Sequence, residues 1–307
     1  RSDWWISRHL GGSKTSTKVG LVAKYVVAVS GGVDSVVLLH MLVNERPNDT
    51  LIVAHFDHGI RKESADDEAF VRQLADHYKL PFESKREDLG ASASEELARD
   101  RRYAFLRTVA KKHHATIVTA HHADDVVETI AINLTRGTGW RGLAVLNSAD
   151  IERPLLGYRK SDLIEYAKQH QLDWREDVTN QDVKYLRNNL RQKLALLDDD
   201  SHRLLLLYRD RQRFLRRMVD NEIDRLVGAS PYSRHLFIAV PDAVATELLR
   251  GVFEKQGIAA PTRPQLNRAL HAIKVFHGGR RYEVATGISL RFTKTDFVVE
   301  QARKVVS

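Results

Sequence analysis

Residues 30–35 read Ser-Gly-Gly-Val-Asp-Ser, which places two hydroxyls, two residues without a Cβ and one carboxylate within six positions. That set suits an anion and its counter-ion. Gly31 and Gly32 can take positive φ and let backbone N–H groups approach a bound anion closely. Apolar residues 26–29 and 36–39 flank the string, so it reads as the junction between a buried strand and a helix. A helix N-terminus offers unpaired donors and the positive end of the macrodipole, both favourable to phosphate. A Walker loop would add a lysine that reaches the β- and γ-phosphates. No lysine follows Gly32; Asp34 offers a magnesium ligand and Ser35 a hydroxyl.

A second constellation is His121-His122-Ala123-Asp124-Asp125-Val126-Val127-Glu128-Thr129. Asp125 and Glu128 are three apart and share a helix face. Two carboxylates on one face beside a phosphate loop can hold magnesium or an ammonium group. The paired histidines have no third ligand at a recognisable zinc spacing. A histidine near a phosphate can instead donate a hydrogen bond or stabilise charge. Asp124 also reads as a simple helix cap. The third polar cluster is His55-Phe56-Asp57-His58-Gly59.

Repeated strand–helix units must position these groups. Strands are expected at 25–30, 50–56, 81–85 and 115–119, and helices at 34–44, 64–78, 94–113 and 124–135. That alternation implies an α/β fold, a doubly wound and mostly parallel sheet with ligands at the C-terminal strand ends. All three polar clusters fall at such ends. Further helices are expected at 160–170, 184–196, 201–227, 242–256 and 263–275. Residues 281–285, 289–292 and 297–300 read as a small antiparallel sheet. The expected organisation is an N-terminal extension over 1–20, a catalytic domain over 21–198 and a mostly helical domain over 199–307. Asp198-Asp199-Asp200 followed by Ser201 reads as hinge and N-cap.

The 307 residues contain no cysteine, which excludes disulfides, thiolate zinc sites and iron–sulfur clusters and leads to the expectation of a cytoplasmic protein. No apolar run approaches the ~20 residues of a membrane span. Arg1–Lys18 lacks the apolar core of a secretory leader and, without an initiator Met, is expected to include either a cut end or residues foreign to the natural protein. Residues 200–307 hold 19 Lys+Arg against 11 Asp+Glu, which is the whole net charge of +8. A basic region of this kind suits a polyanion of the size of tRNA. Arg209, Arg213, Arg216 and Arg217 fall near one stripe of the long helix, although each alone reads as a solvated surface charge. The apolar residues of the same helix read either as core or as the seam of a homodimer.

Ser30–Ser35 resembles the pyrophosphate loop of the ATP pyrophosphatases, which cleave ATP between the α- and β-phosphates and adenylylate a substrate. The string from His121 to Thr129 is similar to the His-His-x-x-Asp-x-x-Glu-Thr motif of the tRNA(Ile)-lysidine synthetases. Other strings follow in that family's order. They are His55–Arg61, Ala98-Arg99 with Arg102-Tyr103, Arg136-Gly137-Thr138-Gly139 and Arg153-Pro154-Leu155-Leu156. Glu176-Asp177 with Thr179-Asn180, then Arg187-Asn188 with Arg191, complete the series. Asp57 stands where that family often has Asn. The resemblance covers about residues 26–196 and becomes general from Ser201 onward, and longer family members carry one more domain.

The resemblance implies an ATP- and Mg2+-dependent ligase. ATP would adenylylate the C2 oxygen of the wobble cytidine of tRNA(Ile), and free L-lysine would then displace AMP. Ser30, Gly31, Gly32, Val33, Asp34 and Ser35 would cradle the pyrophosphate, with magnesium at Asp34. His55, Arg136 and Gly137 would complete the ATP site. Asp125 and Glu128 would hold lysine, and His122 would stabilise the adenylylated intermediate. Arg187 and Arg191 would clamp phosphates or brace the acidic turn at Glu176-Asp177. No membrane partner is implied. Sulfur-inserting and amidotransferase relatives need thiols that this chain lacks. A passive ATP sensor has no use for the acids Asp34, Asp125 and Glu128 beside phosphates.

Overall fold

The computed structural model describes residues 22–59, 64–90, 94–175, 190, 193–194 and 197–302. The chain divides into two compact units, one ending at Asp210 and the other beginning at Arg211.

The first unit is built on strands β1 (Lys24–Ala28), β2 (Thr50–Asp57), β3 (Phe82–Arg86), β4 (Thr116–Val118) and β5 (Ile151–Glu152). Their order is β3-β2-β1-β4-β5, and every pairing is parallel. The helices are α1 (Val33–Glu45), α2 (Ser64–His77), α3 (Glu95–His113), α4 (Ala123–Thr135) and α5 (Lys160–Gln169). Successive strand residues face opposite sides of the sheet. Val27, Val53 and Val118 pack with Val37 and Leu38 of α1, Val71 of α2 and Leu163 of α5. Their neighbours Val26, Ile52 and Ile117 pack with Tyr103, Leu106 and Val109 of α3. Burial on both faces accounts for the unbroken apolar runs in these strands. Each such side chain, withdrawn from water, contributes ~1.5–3 kcal/mol. The ends of β1 and β4 are thereby held on a rigid base.

Ser94 caps α3 as its position suggested, its Oγ accepting from Leu97 N at 3.2 Å. The two-residue strand β5 was not among the expected strands, because two residues carry no periodic signal. The sheet order matters more. β1 and β4 are neighbours although β2 and β3 lie between them in the chain. The chain reverses direction across the sheet there, which opens a crevice at the C-terminal strand ends.

A long helix, α6 (Asp199–Leu226), begins in the first unit and continues through Arg211 into the second. Its start is capped by Asp198, whose Oδ1 accepts from Ser201 N at 2.7 Å. Asp198, the first residue of the acidic triple, is therefore the capping side chain. The second unit adds β6 (Tyr232–Ser233), α7 (Arg234–Ala239), α8 (Asp242–Lys255), α9 (Arg263–Val275), β7 (Arg281–Ala285), β8 (Ile288–Phe292) and β9 (Asp296–Gln301). Its antiparallel sheet has the order β6-β9-β8-β7. Leu249 and Phe253 of α8, Leu266 and Ile273 of α9, and Phe292 and Phe297 of the sheet form its core. Gly251 lets α6 approach α8: a Cβ there would lie 2.2 Å from Ile223 Cγ2. β6 and α7 were also unforeseen, again because both are short. The helix expected at 184–196 lies mostly outside the described residues. Among the described residues no helix is long and apolar enough to cross a membrane.

Candidate active site

The loop after β1 is closed by its two serines. Ser35 Oγ donates to Gly32 O at 2.8 Å and accepts from Ser30 N at 3.1 Å. Ser30 Oγ accepts from Gly32 N at 3.4 Å. The two glycines differ in role. Gly31 has φ +93°, in the left-handed region, and a Cβ there would meet Phe70 and Val71 at 3.4 and 3.5 Å. Gly32 has φ −72° and is the extended N-cap of α1. Positive φ is thus needed at Gly31 alone, and not at both glycines. Val33 and Asp34 open α1, where the first N–H groups have no acceptor within the helix. Their N–H groups and the macrodipole make this end an anion bed.

His122 is the N-cap of α4 and is buried at 7% exposure. Three carboxylates surround its ring. Asp124 Oδ2 lies 3.4 Å from Nδ1, Asp125 Oδ2 3.5 Å from Nε2, and Asp34 Oδ2 3.8 Å from Nε2. Asp34 comes from α1 and the other two from α4, so the packing of β1 beside β4 assembles this group. Asp125 Oδ2 also accepts from His122 N at 3.0 Å, which caps the helix. Burial disfavours a charge on His122, but Asp124, Asp125 and Asp34 outweigh it and raise the pKa. Burial likewise opposes the Asp124 charge. The His122 contact, the Lys160 N–H and the nearby His202 prevail, holding that carboxyl below the usual carboxylate range.

His122 is protonated more readily in the folded chain than at its ordinary 6.5, so its contribution to stability is full below that pH. The contribution is lost as pH rises through the higher folded value. Asp124 contributes above its ordinary 3.8 and loses its contribution as pH falls through the depressed folded value. Thermal denaturation of the wild type against His122→Gln is expected to show its largest difference between about pH 4.5 and 6, shrinking as pH rises through the higher folded value. A difference that does not change with pH would show that the imidazole is uncharged in the fold.

His121 behaves oppositely. Burial pushes its pKa down to about 3; Asp125 opposes this shift, and Arg153, Arg102 and Arg99 add to it. It is neutral at physiological pH, its Nδ1 paired with Thr119 Oγ1 at 2.9 Å. Adjacent histidines are therefore shifted in opposite directions, His122 by the carboxylates around it and His121 by burial and nearby arginines. Glu128 follows one turn after Asp125 on α4 and is 3% exposed. His55 is buried, with Nδ1 2.9 Å from Val29 O, and braces the strand end that carries the loop.

A segment absent from the expected site completes it. Tyr158 O accepts from Ala123 N at 2.8 Å, and Lys160 N donates to Asp124 Oδ2 at 2.7 Å. Lys160 Nζ lies 2.7 and 2.8 Å from the two oxygens of Asp34. His202 Nε2 lies 3.1 Å from Asp124 Oδ1. Lys160 is 126 residues from Asp34, and no local spacing signals the pair.

Other expected residues lie elsewhere. Arg136 and Gly137 close the far end of α4, roughly 20 Å along the helix from His122 at 1.5 Å per residue. Both are exposed, and their N–H groups bond within that turn, to Ile132 O and Leu134 O. The His122 cluster does not include them. Arg209 is 4% exposed: its Nε donates to Val145 O at 3.2 Å and its Nη1 to Asp210 Oδ1 at 2.8 Å. It is an internal brace, not part of an exposed arginine stripe. Arg213, Arg216 and Arg217 lie further along α6, with Arg216 Nε 3.5 Å from Asp220 Oδ2. Arg187, Arg191 and the acidic turn at Glu176-Asp177 lie outside the described residues.

A PP-loop domain model matches residues 15–197, more than half of the chain. The tRNA(Ile)-lysidine synthase of Thermotoga sp. (strain RQ2) is 36% identical over 250 residues, covering 73% of this chain and 60% of that protein. The tRNA(Ile)-lysidine synthase of Photorhabdus laumondii subsp. laumondii is 32% identical over 277 residues, covering 83% and 62%. That of Exiguobacterium sibiricum is 43% identical over 178 residues, covering 56% and 42%. The chain thus spans about three fifths or less of the length of these curated relatives. Among solved structures, the U34-tRNA thiolase NcsA of Methanococcus maripaludis shares the fold, with a TM-score of 0.50 at 18% identity over 62% of this chain and 71% of that one. The closed serine–glycine loop at the β1–β4 crevice and the domain match lead to one assignment: this chain belongs to the PP-loop family of ATP-binding domains.

Proposed function

We propose that the chain ligates free lysine to C2 of the wobble cytidine of tRNA(Ile), in two steps at one site. In the first, the cytosine C2 oxygen attacks the α-phosphorus of ATP, the bond to the β-phosphate oxygen breaks, and pyrophosphate leaves with the electron pair. In the second, the neutral lysine amine attacks C2, the C2–O bond breaks, AMP leaves with its electron pair, and the nitrogen gives up a proton to solvent as the C–N bond is completed. The observation that supports this reading is the juxtaposition of two unlike half-sites. A phosphate bed at α1 and an acidic helix start at α4 meet at one imidazole, with Asp34 at 3.8 Å and Asp125 at 3.5 Å. The names of the relatives at 32–43% identity point the same way.

Each residue has a defined task. Ser30 to Ser35 hold the leaving pyrophosphate through backbone N–H groups. Asp125 and Glu128 replace the water of the lysine ammonium, which a cation leaving water requires. His122, with its raised pKa, presents positive charge where negative charge develops during adenylylation. His121, with a pKa near 3, is too weak a base to take a proton from the incoming amine. Magnesium on the phosphates supplies charge neutralisation when bound. Asp34 fits that ion: both of its oxygens already face a cation, the Lys160 ammonium. One carboxylate together with substrate phosphates is a common protein share for this metal. The arginines Arg213, Arg216 and Arg217 are the proposed contacts to tRNA phosphates.

The test uses the full chain with ATP, lysine and an unmodified isoleucine tRNA transcript. Pyrophosphate release is expected to depend on the tRNA, and the anticodon fragment is expected to gain the mass of a lysyl group. Pyrophosphate release that ignores tRNA, or an unchanged anticodon mass, would overturn the reading.

A further inference from the structure

The phosphate loop has no lysine of its own, yet the fold brings one to it. Lys160 opens α5, and its ammonium bonds both oxygens of Asp34 at 2.7 and 2.8 Å. The same residue's backbone N–H donates to Asp124 at 2.7 Å. One residue therefore ties the starts of α1 and α4 together, and three helix N-termini converge there. Its side chain is 43% exposed and Asp34's 27%, so the pair is open to solvent rather than sealed in the core. An exposed ion pair of this type adds little to stability. Its placement calls for another explanation.

A triphosphate entering this bed meets Asp34, a carboxylate of like charge at the mouth of α1. Repulsion there must be offset by a cation with donors to spare. An ammonium has three N–H donors on a flexible four-carbon stem, and two suffice for Asp34. We propose that Lys160 is the phosphate-binding cation of this site, turning from Asp34 to the β- and γ-phosphates when ATP binds. It thus takes the part of the Walker lysine from a position 126 residues away. When the α–β bridge breaks, the electron pair leaves with pyrophosphate, and the Lys160 ammonium stabilises that charge. Asp34, released from Lys160, would then be the carboxylate available to hold a magnesium ion. This assignment rests on the adenylylating reading above, but its test does not need tRNA.

ATP and AMP affinities are compared by equilibrium binding for the wild type, Lys160→Gln, Lys160→Arg and Asp34→Asn, and for the Asp34→Asn/Lys160→Gln pair. Lys160→Gln is expected to weaken ATP by roughly 10- to 100-fold, the range of one charge-assisted hydrogen bond. AMP, which lacks the leaving phosphates, is expected to bind as before. Lys160→Arg is expected to keep most of the ATP affinity. The loss on Lys160→Gln should persist in the Asp34→Asn background. If the loss vanishes in that background, Lys160 is only the counter-ion of Asp34 and the proposal fails. Equal losses for ATP and AMP, or no loss for ATP, overturn it as well. Tight ATP binding that depends on Lys160, without tRNA-dependent pyrophosphate release, would leave this assignment standing and remove the tRNA reading.

Discussion

Asp34→Ala is expected to lower tRNA-dependent pyrophosphate release by on the order of 10²–10³-fold in kcat, the range for loss of one electrostatic stabiliser of a reacting group. Asp34 is the only residue of the six-residue loop with a carboxylate, and it stands 3.8 Å from His122 Nε2 and within 2.8 Å of Lys160 Nζ. Its removal takes away the proposed metal ligand and leaves two cations facing the phosphates. ATP affinity should therefore hold or improve while turnover collapses. That split between KM and kcat separates a role in the displacement from a role in binding. The fold should tolerate the change, because partly exposed ion pairs contribute about 0–1 kcal/mol. A kcat within threefold of the wild type would remove Asp34 from the reaction. A fall in melting temperature that tracks the loss of activity would reduce its role to structure.

The second large effect concerns lysine. Asp125→Asn keeps an oxygen that can accept from His122 N, so the cap of α4 survives while the charge is lost. Glu128→Gln does the same for the buried acid one turn on. Each is expected to raise the KM for lysine by roughly 10- to 150-fold, the equivalent of about 1.5–3 kcal/mol for a hydrogen bond to a charged group. ATP binding should be largely unchanged in both. Steady-state kinetics at varied lysine, with tRNA and ATP saturating, measures this directly. Unchanged lysine kinetics in both variants would place the amino acid elsewhere. Asp125→Ala should lose a further ~1 kcal/mol of stability, because the cap goes with the charge. Comparing Asn with Ala at position 125 thus separates the two tasks of one carboxylate.

Much of this site is legible in short strings. Ser30 to Ser35 read as a phosphate loop because strand, turn and helix start are local features, each set by residues within a few positions. Asp125 and Glu128 share a face because three residues nearly complete a helical turn. The first-unit strands β1, β2 and β4 follow from their apolar runs, whereas β5 and β6, two residues each, carry no pattern to read. Distance is what short strings leave out. The resemblance puts Arg136 and Gly137 in the ATP site, and a straight helix sets them at the opposite end of α4 from His122. Helical spacing puts Arg209 near a basic stripe. Spacing cannot show that this stretch of α6 packs against Val145 and Leu146, where their carbonyls take up its guanidinium.

What the sequence determined by itself was therefore the chemistry on hand and its local geometry: a phosphate loop, a pair of acids one turn apart, adjacent histidines and a basic C-terminal region. The tertiary structure alone decided which of these meet. Strand pairing set β1 beside β4, so that Asp34 and His122, 88 positions apart in number, come within 3.8 Å. Docking of α5 on α1 delivered Lys160 to Asp34, and the packed neighbours shift the pKa values of His121 and His122 in opposite directions. The physical reason is range. Propensity and periodicity act over a turn or a strand, whereas contact, desolvation and pKa depend on neighbours that only the packed sheet and its helices bring together.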